Sequence, residues 1–338
     1  MKPGKPFIFM LVLLIPLLLQ ACARDSGGPA AADPGASVTE NEPPYAPDAG
    51  GNADGKPVIG ATFLGTNEFV VTMMNTMIEE AKARGVELIA LNAEGSIEKQ
   101  LDHIRSFVDQ RMDVIILNPV EAEGGAEGVE IADAAGIPVV GVNAVINQSE
   151  KFRTYVGSND LEAGEIEMRF IAEELKGEGN IVVMEGITAQ SSQMQRTQGI
   201  LNTLRGYPKI RILEIETGNW SRDEGYALMN AWWQKHGEQI DAVVSHNDEM
   251  ALGAIRFMEE QGLIGKIKVI GVDGTPDGLR AVKEGKMDAV LFQDAKGQAV
   301  LALDLAIRIF HHDHVARTYH IPFKLVTKYN VDQFMNPS

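Results

Sequence analysis

The sequence predicts an α/β protein of two lobes, each a parallel sheet flanked by helices. Short β-branched runs alternate with stretches of helical period, the pattern of parallel strands joined by crossover helices. The alternation pauses after Val142 and starts afresh with a helix from Glu162. The ~280 residues after Pro57 suit two cores better than one.

The first strand is Val58 to Phe63, a run of apolar and β-branched residues. Helix Glu68 to Arg84 follows, with Asn67 standing before it as a capping residue would. Strand Val86 to Leu91, helix Ser96 to Gln110, strand Val114 to Leu117, helix Ala122 to Ala135 and strand Pro138 to Val142 continue the rhythm. The second series has helix Glu162 to Leu175, strand Ile181 to Met184, helix Met194 to Leu204, strand Ile210 to Ile215 and helix Arg222 to Lys235. It continues with strand Ala242 to Ser245, helix Glu249 to Gln261, strand Val269 to Val272 and a short helix from Asp277 to Glu284. Strand Ala289 to Phe292 and the long helix Gln298 to Phe310 complete it.

Ahead of this body stands an address. Lys2 and Lys5 precede an apolar stretch from Phe7 to Leu19, too short to span a bilayer, which needs about 20 apolar residues, and broken by Pro16. Leu19-Gln20-Ala21-Cys22 resembles the lipobox of bacterial lipoproteins, which implies a signal peptide over residues 1–21 and a lipid anchor on Cys22. Residues 22–56 are rich in Gly, Pro, Ala, Ser and Asp and read as a flexible tether, since so few large apolar side chains cannot offset chain entropy. The expected location is the cell envelope, on the outer side of the cytoplasmic membrane or in the periplasm.

Lys and Arg number 30 against 47 Asp and Glu, a formal net charge of −17, which argues against nucleic acid as a partner. With Cys22 the single cysteine, no intramolecular disulfide is available.

Ligands of open α/β sheets bind beyond the carboxyl ends of the strands. Just past those ends stand Asn67, Asn118, Asn143, Asn247 with Asp248, Asp273, and Gln293 with Asp294. Amides and carboxylates give directed donors and acceptors, the needs of a neutral polyhydroxylated ligand. No serine–histidine pair, clustered histidine or phosphate loop accompanies them, so neither an enzyme nor a cofactor or metal site is expected. Asp248 reads as a helix cap, leaving Asn247 to face the crevice. Phe69 and Trp220 lie in the turns after two strands, and aromatic faces of this kind pack against sugar C–H groups. A hydrophobic staple is the alternative role for each.

Asn247-Asp248-Glu249-Met250-Ala251-Leu252-Gly253-Ala254 and Gly271-Val272-Asp273-Gly274-Thr275-Pro276-Asp277-Gly278 resemble signature stretches of the periplasmic ribose-binding protein group, the substrate-binding components of sugar ABC importers. The resemblance runs from Pro57 to Lys328. It implies a periplasmic-binding-protein fold of two lobes joined by three crossings, near Ser158-Asn159, Gln293-Asp294 and Pro322. The N-terminal lobe would then comprise 57–158 plus 294–322, and the C-terminal lobe 159–293 plus 323–338. The resemblance places Asn67, Phe69 and Asn143 on the first lobe, Trp220, Asn247 and Asp273 on the second and Gln293 at a hinge. Phe69 and Trp220 would sandwich a ligand that Asn247, Asp273 and Gln293 hydrogen-bond. Two arginines of the group are replaced here: Asn143-Ala144 stands for an Asp-Arg pair, and Met194 for an arginine opening the helix after Gly186. Gln190, Gln193 or Arg196 could substitute. A less charged pocket points away from ribose, toward a neutral polyol, a cyclitol or another pentose.

The resemblance implies a monomer that delivers its ligand to ABC permease subunits; a sensory protein serving a membrane receptor is the alternative. His311-His312-Asp313-His314 reads as a solvated turn after a long helix, and Trp232-Trp233 as core packing.

Overall fold

A computed structural model describes residues 37–39 and 55–335. The signal peptide expected over 1–21, the lipid site at Cys22 and most of the tether expected over 22–56 lie outside the described residues. Ser37–Thr39, strand β1, is an exception within that tether, pairing antiparallel with Thr318–His320. The open edge of β12 accounts for this local departure from a structureless linker.

The body alternates strand and helix in chain order, and the fold class read from sequence holds: two sheets of mostly parallel strands flanked by helices. In the first, β2 (Val58–Phe63), β3 (Glu87–Asn92), β4 (Val114–Leu117), β5 (Val139–Asn143) and β6 (Thr154–Gly157) run parallel. They are wound with α1 (Glu68–Arg84), α2 (Ile97–Asp109) and α3 (Ala122–Ala134). The second sheet holds β7 (Glu178–Glu185), β8 (Lys209–Thr217), β9 (Ala242–Ser245), β10 (Lys268–Asp273) and β11 (Ala289–Phe292). Its helices are α4 (Asp160–Glu174), α5 (Ser191–Leu204), α6 (Arg222–His236), α7 (Asp248–Glu260) and α8 (Pro276–Lys283). The chain then returns: α9 (Ala295–Phe310) packs on the first sheet, β12 (Thr318–His320) pairs with β6, and β13 (Lys324–Thr327) pairs antiparallel with β11. A short helix, α10 (Asp332–Met335), follows.

The chain therefore passes between the sheets between β6 and α4, between β11 and α9, and between β12 and β13. Central strands are apolar on both faces because helices cover both; every residue of β4 and of β9 is buried. Phe63, Met73, Met77 and Leu303 fill one side of the first sheet, and Ile104, Phe107, Ile115 and Phe152 the other. In the second lobe Met229, Trp232, Met250 and Phe257 form one core and Met168, Ile171, Ile181 and Ile200 its counterpart.

Two helix pairs of the second lobe approach to backbone contact. A Cβ at Gly164 of α4 would lie 2.0 Å from the Arg196 carbonyl oxygen, and one at Gly199 of α5 2.2 Å from that of Leu161. In α6 and α7, a Cβ at Gly225 or Gly253 would lie 2.3 Å or 2.0 Å from the carbonyl oxygens of Met250 and Arg222. Helices set this close fix the loops at their N-termini, which carry the cleft residues.

Candidate functional site

The carboxyl ends of β2 and β5 on one sheet and of β9 and β10 on the other meet across a narrow cleft of about 40 Å³. From the first lobe Asn67, Phe69 and Asn143 line it; from the second, Trp220, Asn247 and Asp273; Gln293 lies at the second crossing. Leu64, Gln190 and Arg196 also contribute.

Each polar side chain has a structural tie and, in most cases, a remaining face. Asn67 caps α1, its Oδ1 accepting from the Val70 N–H at 2.9 Å, which leaves its amide N–H groups. Asn143 closes β5 at φ 69°, and its backbone carbonyl accepts from the Tyr155 hydroxyl at 2.8 Å. Asn118 is fully buried and does not line the cleft. Its Oδ1 accepts from the Leu64 N–H at 3.1 Å and its amide donates to the Val142 carbonyl at 3.3 Å, fixing both adjoining strand ends.

Asn247 lines the cleft as expected, but it and not Asp248 caps the helix. Asn247 caps α7, with Oδ1 accepting from the Met250 N–H at 3.0 Å and Nδ2 donating to the Trp220 carbonyl at 3.3 Å. Asp248, wholly buried, accepts from the Thr275 N–H at 2.7 Å and hydroxyl at 3.1 Å, so it holds the loop after β10; burial pushes its carboxyl up to about 8. Asp273 ends β10 at φ 121°, a conformation that costs a non-glycine residue free energy and persists only where the surroundings enforce it. Burial first, then the neighbouring Asp248, raises its carboxyl well above the usual range.

Met194 does not join this set. It is 47% exposed and points away from the cleft. Helix α5 begins at Ser191, earlier than expected, and at 3.6 residues per turn Gln193, Arg196 and Ile200 take the inner face. The guanidinium that reaches the cleft is that of Arg196. Its Nε and Nη2 donate to Asp160 Oδ1 at 2.9 and 2.8 Å, Nη1 donates to the His246 carbonyl and Nη2 to Gln293 Oε1 at 3.4 Å. Gln293 keeps a buried Nε2 with no protein acceptor, a donor available to a ligand. Gln190 and Arg196 were legible as substitutes for the missing arginines, but only the helix register separates them from Gln193.

Phe69 and Trp220 are 7% and 9% exposed and present rings from opposite lobes. Trp220 follows Asn219 with both in the left-handed region, at φ 61° and 50°. Its ring lies flat on Gly186, where a Cβ would come within 1.8 Å of the indole. Its Nε1–H donates to Gln190 Oε1 at 2.7 Å. Two bonds cross from lobe to lobe: Gln190 Nε2 donates to the Val120 carbonyl at 2.6 Å, and the Val145 N–H donates to Ser191 Oγ at 3.0 Å. Two aromatic faces, several amides, a carboxylate and a guanidinium already held by its own acid can sandwich a ring or chain of C–H groups and hydrogen-bond its hydroxyls. Among the described residues no group of three His, Cys, Asp or Glu side chains is placed to hold a metal ion.

Comparison with known proteins gives this cleft its relatives. The model of the periplasmic binding protein domain matches residues 62–312. The chain is 34% identical over 285 residues to a xylitol-binding protein of Mycolicibacterium smegmatis, covering 84% of this chain and 81% of the relative. It is 34% identical over 275 residues to a putative rhizopine-binding protein of Rhizobium meliloti, covering 79% and 89%. Among solved structures, an ABC transporter solute binding protein from Bacillus halodurans with bound myo-inositol aligns at a TM-score of 0.81 and 34% identity, over 84% of this chain and 99% of that one.

Proposed function

The chain belongs to the periplasmic binding protein domain family, and from that premise we propose that it is the extracytoplasmic solute-binding component of a sugar ABC importer. Its ligand is one neutral cyclitol, polyol or monosaccharide, held between the lobes and delivered to permease subunits. The observation that carries this reading is the cleft itself, where Phe69 and Trp220 face it from opposite lobes and amides surround them. Asn67, Phe69, Asn143, Trp220, Asn247, Asp273 and Gln293 are the ligand-binding residues on this reading, with Arg196 in place of Met194. Lobes of 57–158 plus 294–322 and 159–293 plus 323–338 close by hinge motion at the three crossings, since a ligand touching both lobes favours the shut form. A signal peptide over 1–21 and a lipid on Cys22 would keep the monomer at the membrane. Among the described residues no helix is long and apolar enough to cross a membrane.

A thermal-shift screen of the full chain against inositols, linear polyols, pentoses and hexoses tests this, because a ligand bound only by the folded state raises the unfolding midpoint. One neutral member, with myo-inositol and xylitol tried first, should give a large shift and ribose a small one. Asp273→Ala should weaken the best ligand by more than about tenfold, as loss of a hydrogen-bonding group in a desolvated site does. No shift with any compound would overturn the carbohydrate reading.

A further inference from the structure

We propose that Gln190 is a positioning residue that couples ligand stacking on Trp220 to closure of the lobes; this rests on reading the cleft as the ligand site. Gln190 occupies the N-cap position of α5, where a short polar side chain would ordinarily accept from the first turn, yet it makes no such bond. Its amide is used elsewhere at both ends: Oε1 accepts the Trp220 indole N–H at 2.7 Å, and Nε2 donates across the cleft to the Val120 carbonyl at 2.6 Å. Gln190 is 3% exposed and Val120 5%, so neither partner has bulk water as a ready substitute.

The receiving carbonyl is itself anchored. The Val120 N–H donates to Gln100 Oε1 at 2.8 Å, and Gln100 Nε2 donates to the Asn118 carbonyl at 3.0 Å, with Gln100 2% exposed. A path of hydrogen bonds thus runs from the aromatic face of the second lobe to α2 of the first. The backbone is constrained on both sides of the indole–amide bond: Ala189 sits at φ 69°, and Asn219 and Trp220 at 50° and 61°. Three non-glycine residues in the left-handed region at one contact show that the fold enforces it. Opening the lobes must part Gln190 Nε2 from Val120, leaving Oε1 free to lose the indole. A ligand that packs against Trp220 holds the ring flat on Gly186 and keeps the amide aimed at Val120.

The test uses the full chain with Cys22 replaced by Ser and spin labels on cysteines placed at the exposed positions Glu150 and Gln198, one on each lobe. Interlobe distances are measured by double electron–electron resonance without ligand and with myo-inositol or xylitol as probe. Gln190→Ala should shift the distribution toward longer distances in both conditions and raise the dissociation rate of a bound probe roughly tenfold, as for an unpaired buried donor and acceptor. Gln190→Glu separates the two ends of the contact. At alkaline pH, where it is ionised, its carboxylate can accept the indole N–H, so Trp220 fluorescence should stay near that of the parent, but it cannot donate to Val120, so the lobes should open as in Gln190→Ala. Trp220→Phe keeps a ring without the N–H and should give an intermediate opening. A folded Gln190→Ala protein with unchanged distances would overturn the proposal, whether or not either probe binds. Failure of the parent to bind any carbohydrate would instead overturn the reading of the site.

Discussion

Glu167 of α4 is wholly buried, and neither of its carboxylate oxygens has a hydrogen-bond partner within the protein. Burial outweighs the attraction of Arg196 and raises the carboxyl from 4.5 to about 8, so the group is neutral over most of the physiological range. A carboxyl whose pKa rises on folding contributes stability that is whole below about pH 4.5 and is lost as the pH climbs to about 8. The unfolded chain ionises over that window while the folded one does not. Glu167→Gln removes the loss, so it should raise the unfolding temperature relative to the parent by more at pH 8 than at pH 5, as read by differential scanning calorimetry. An equal change at both values would mean that Glu167 does not titrate with folding. The comparison within one position matters, because buried His246, whose pKa burial lowers, acts in the opposite direction and loses stability as pH falls. None of this was legible in the sequence, where Glu167 is one acid among many on an amphipathic helix. The cleft side chains were more legible, because strand ends announce themselves. The pair Asn247-Asp248 shows the limit: adjacent cap-forming residues offer the same chemistry, and the start of α7 gives the capping role to Asn247 rather than Asp248.

At the scale of elements, hydrophobic rhythm carried most of the fold. Val114–Leu117, Ala242–Ser245 and Ala289–Phe292 are short apolar runs between polar turns, and each is a strand over those residues. The strands that escaped notice are β1, β6, β12 and β13, of three or four residues. Thr318-Tyr319-His320 has no period of its own and becomes a strand only because β6 offers it an edge. Met194 rests on the resemblance alone, as the counterpart of an arginine opening this helix; in α5, which begins at Ser191, the inner face falls to Gln193 and Arg196 and leaves Met194 exposed. The paired glycines of α4 and α5 are likewise invisible as a pattern, yet they set the spacing on which Arg196 and Asp160 depend. Gly199→Ala drives a methyl into the backbone of Leu161, which cannot yield as a flexible side chain would. It should destabilise the protein by about 1–3 kcal/mol, measured by urea denaturation, whereas a neutral result would mean that the helices part without strain.

At the scale of the molecule, the crossings make each sheet depend on distant stretches of chain. Helix α9 supplies Ala299, Ala302, Leu303, Ala306 and Ile309 to the same core as Ile59, Phe63 and Met73. A chain ended at residue 294 therefore retains the central strands of the first sheet but leaves that core open on one side. It should show no cooperative unfolding of the first lobe, read as rapid exchange of the β2 and β4 amide hydrogens. Slow exchange there would show that the lobe assembles without its late helix. The late helix also has a meaning for biosynthesis. One side of the first sheet stays partly uncovered until residues past 295 emerge, although the other side closes with residues before 160 alone. For a chain that must pass through a secretion channel, a core left open in this way would favour a threadable state until its last helix has followed.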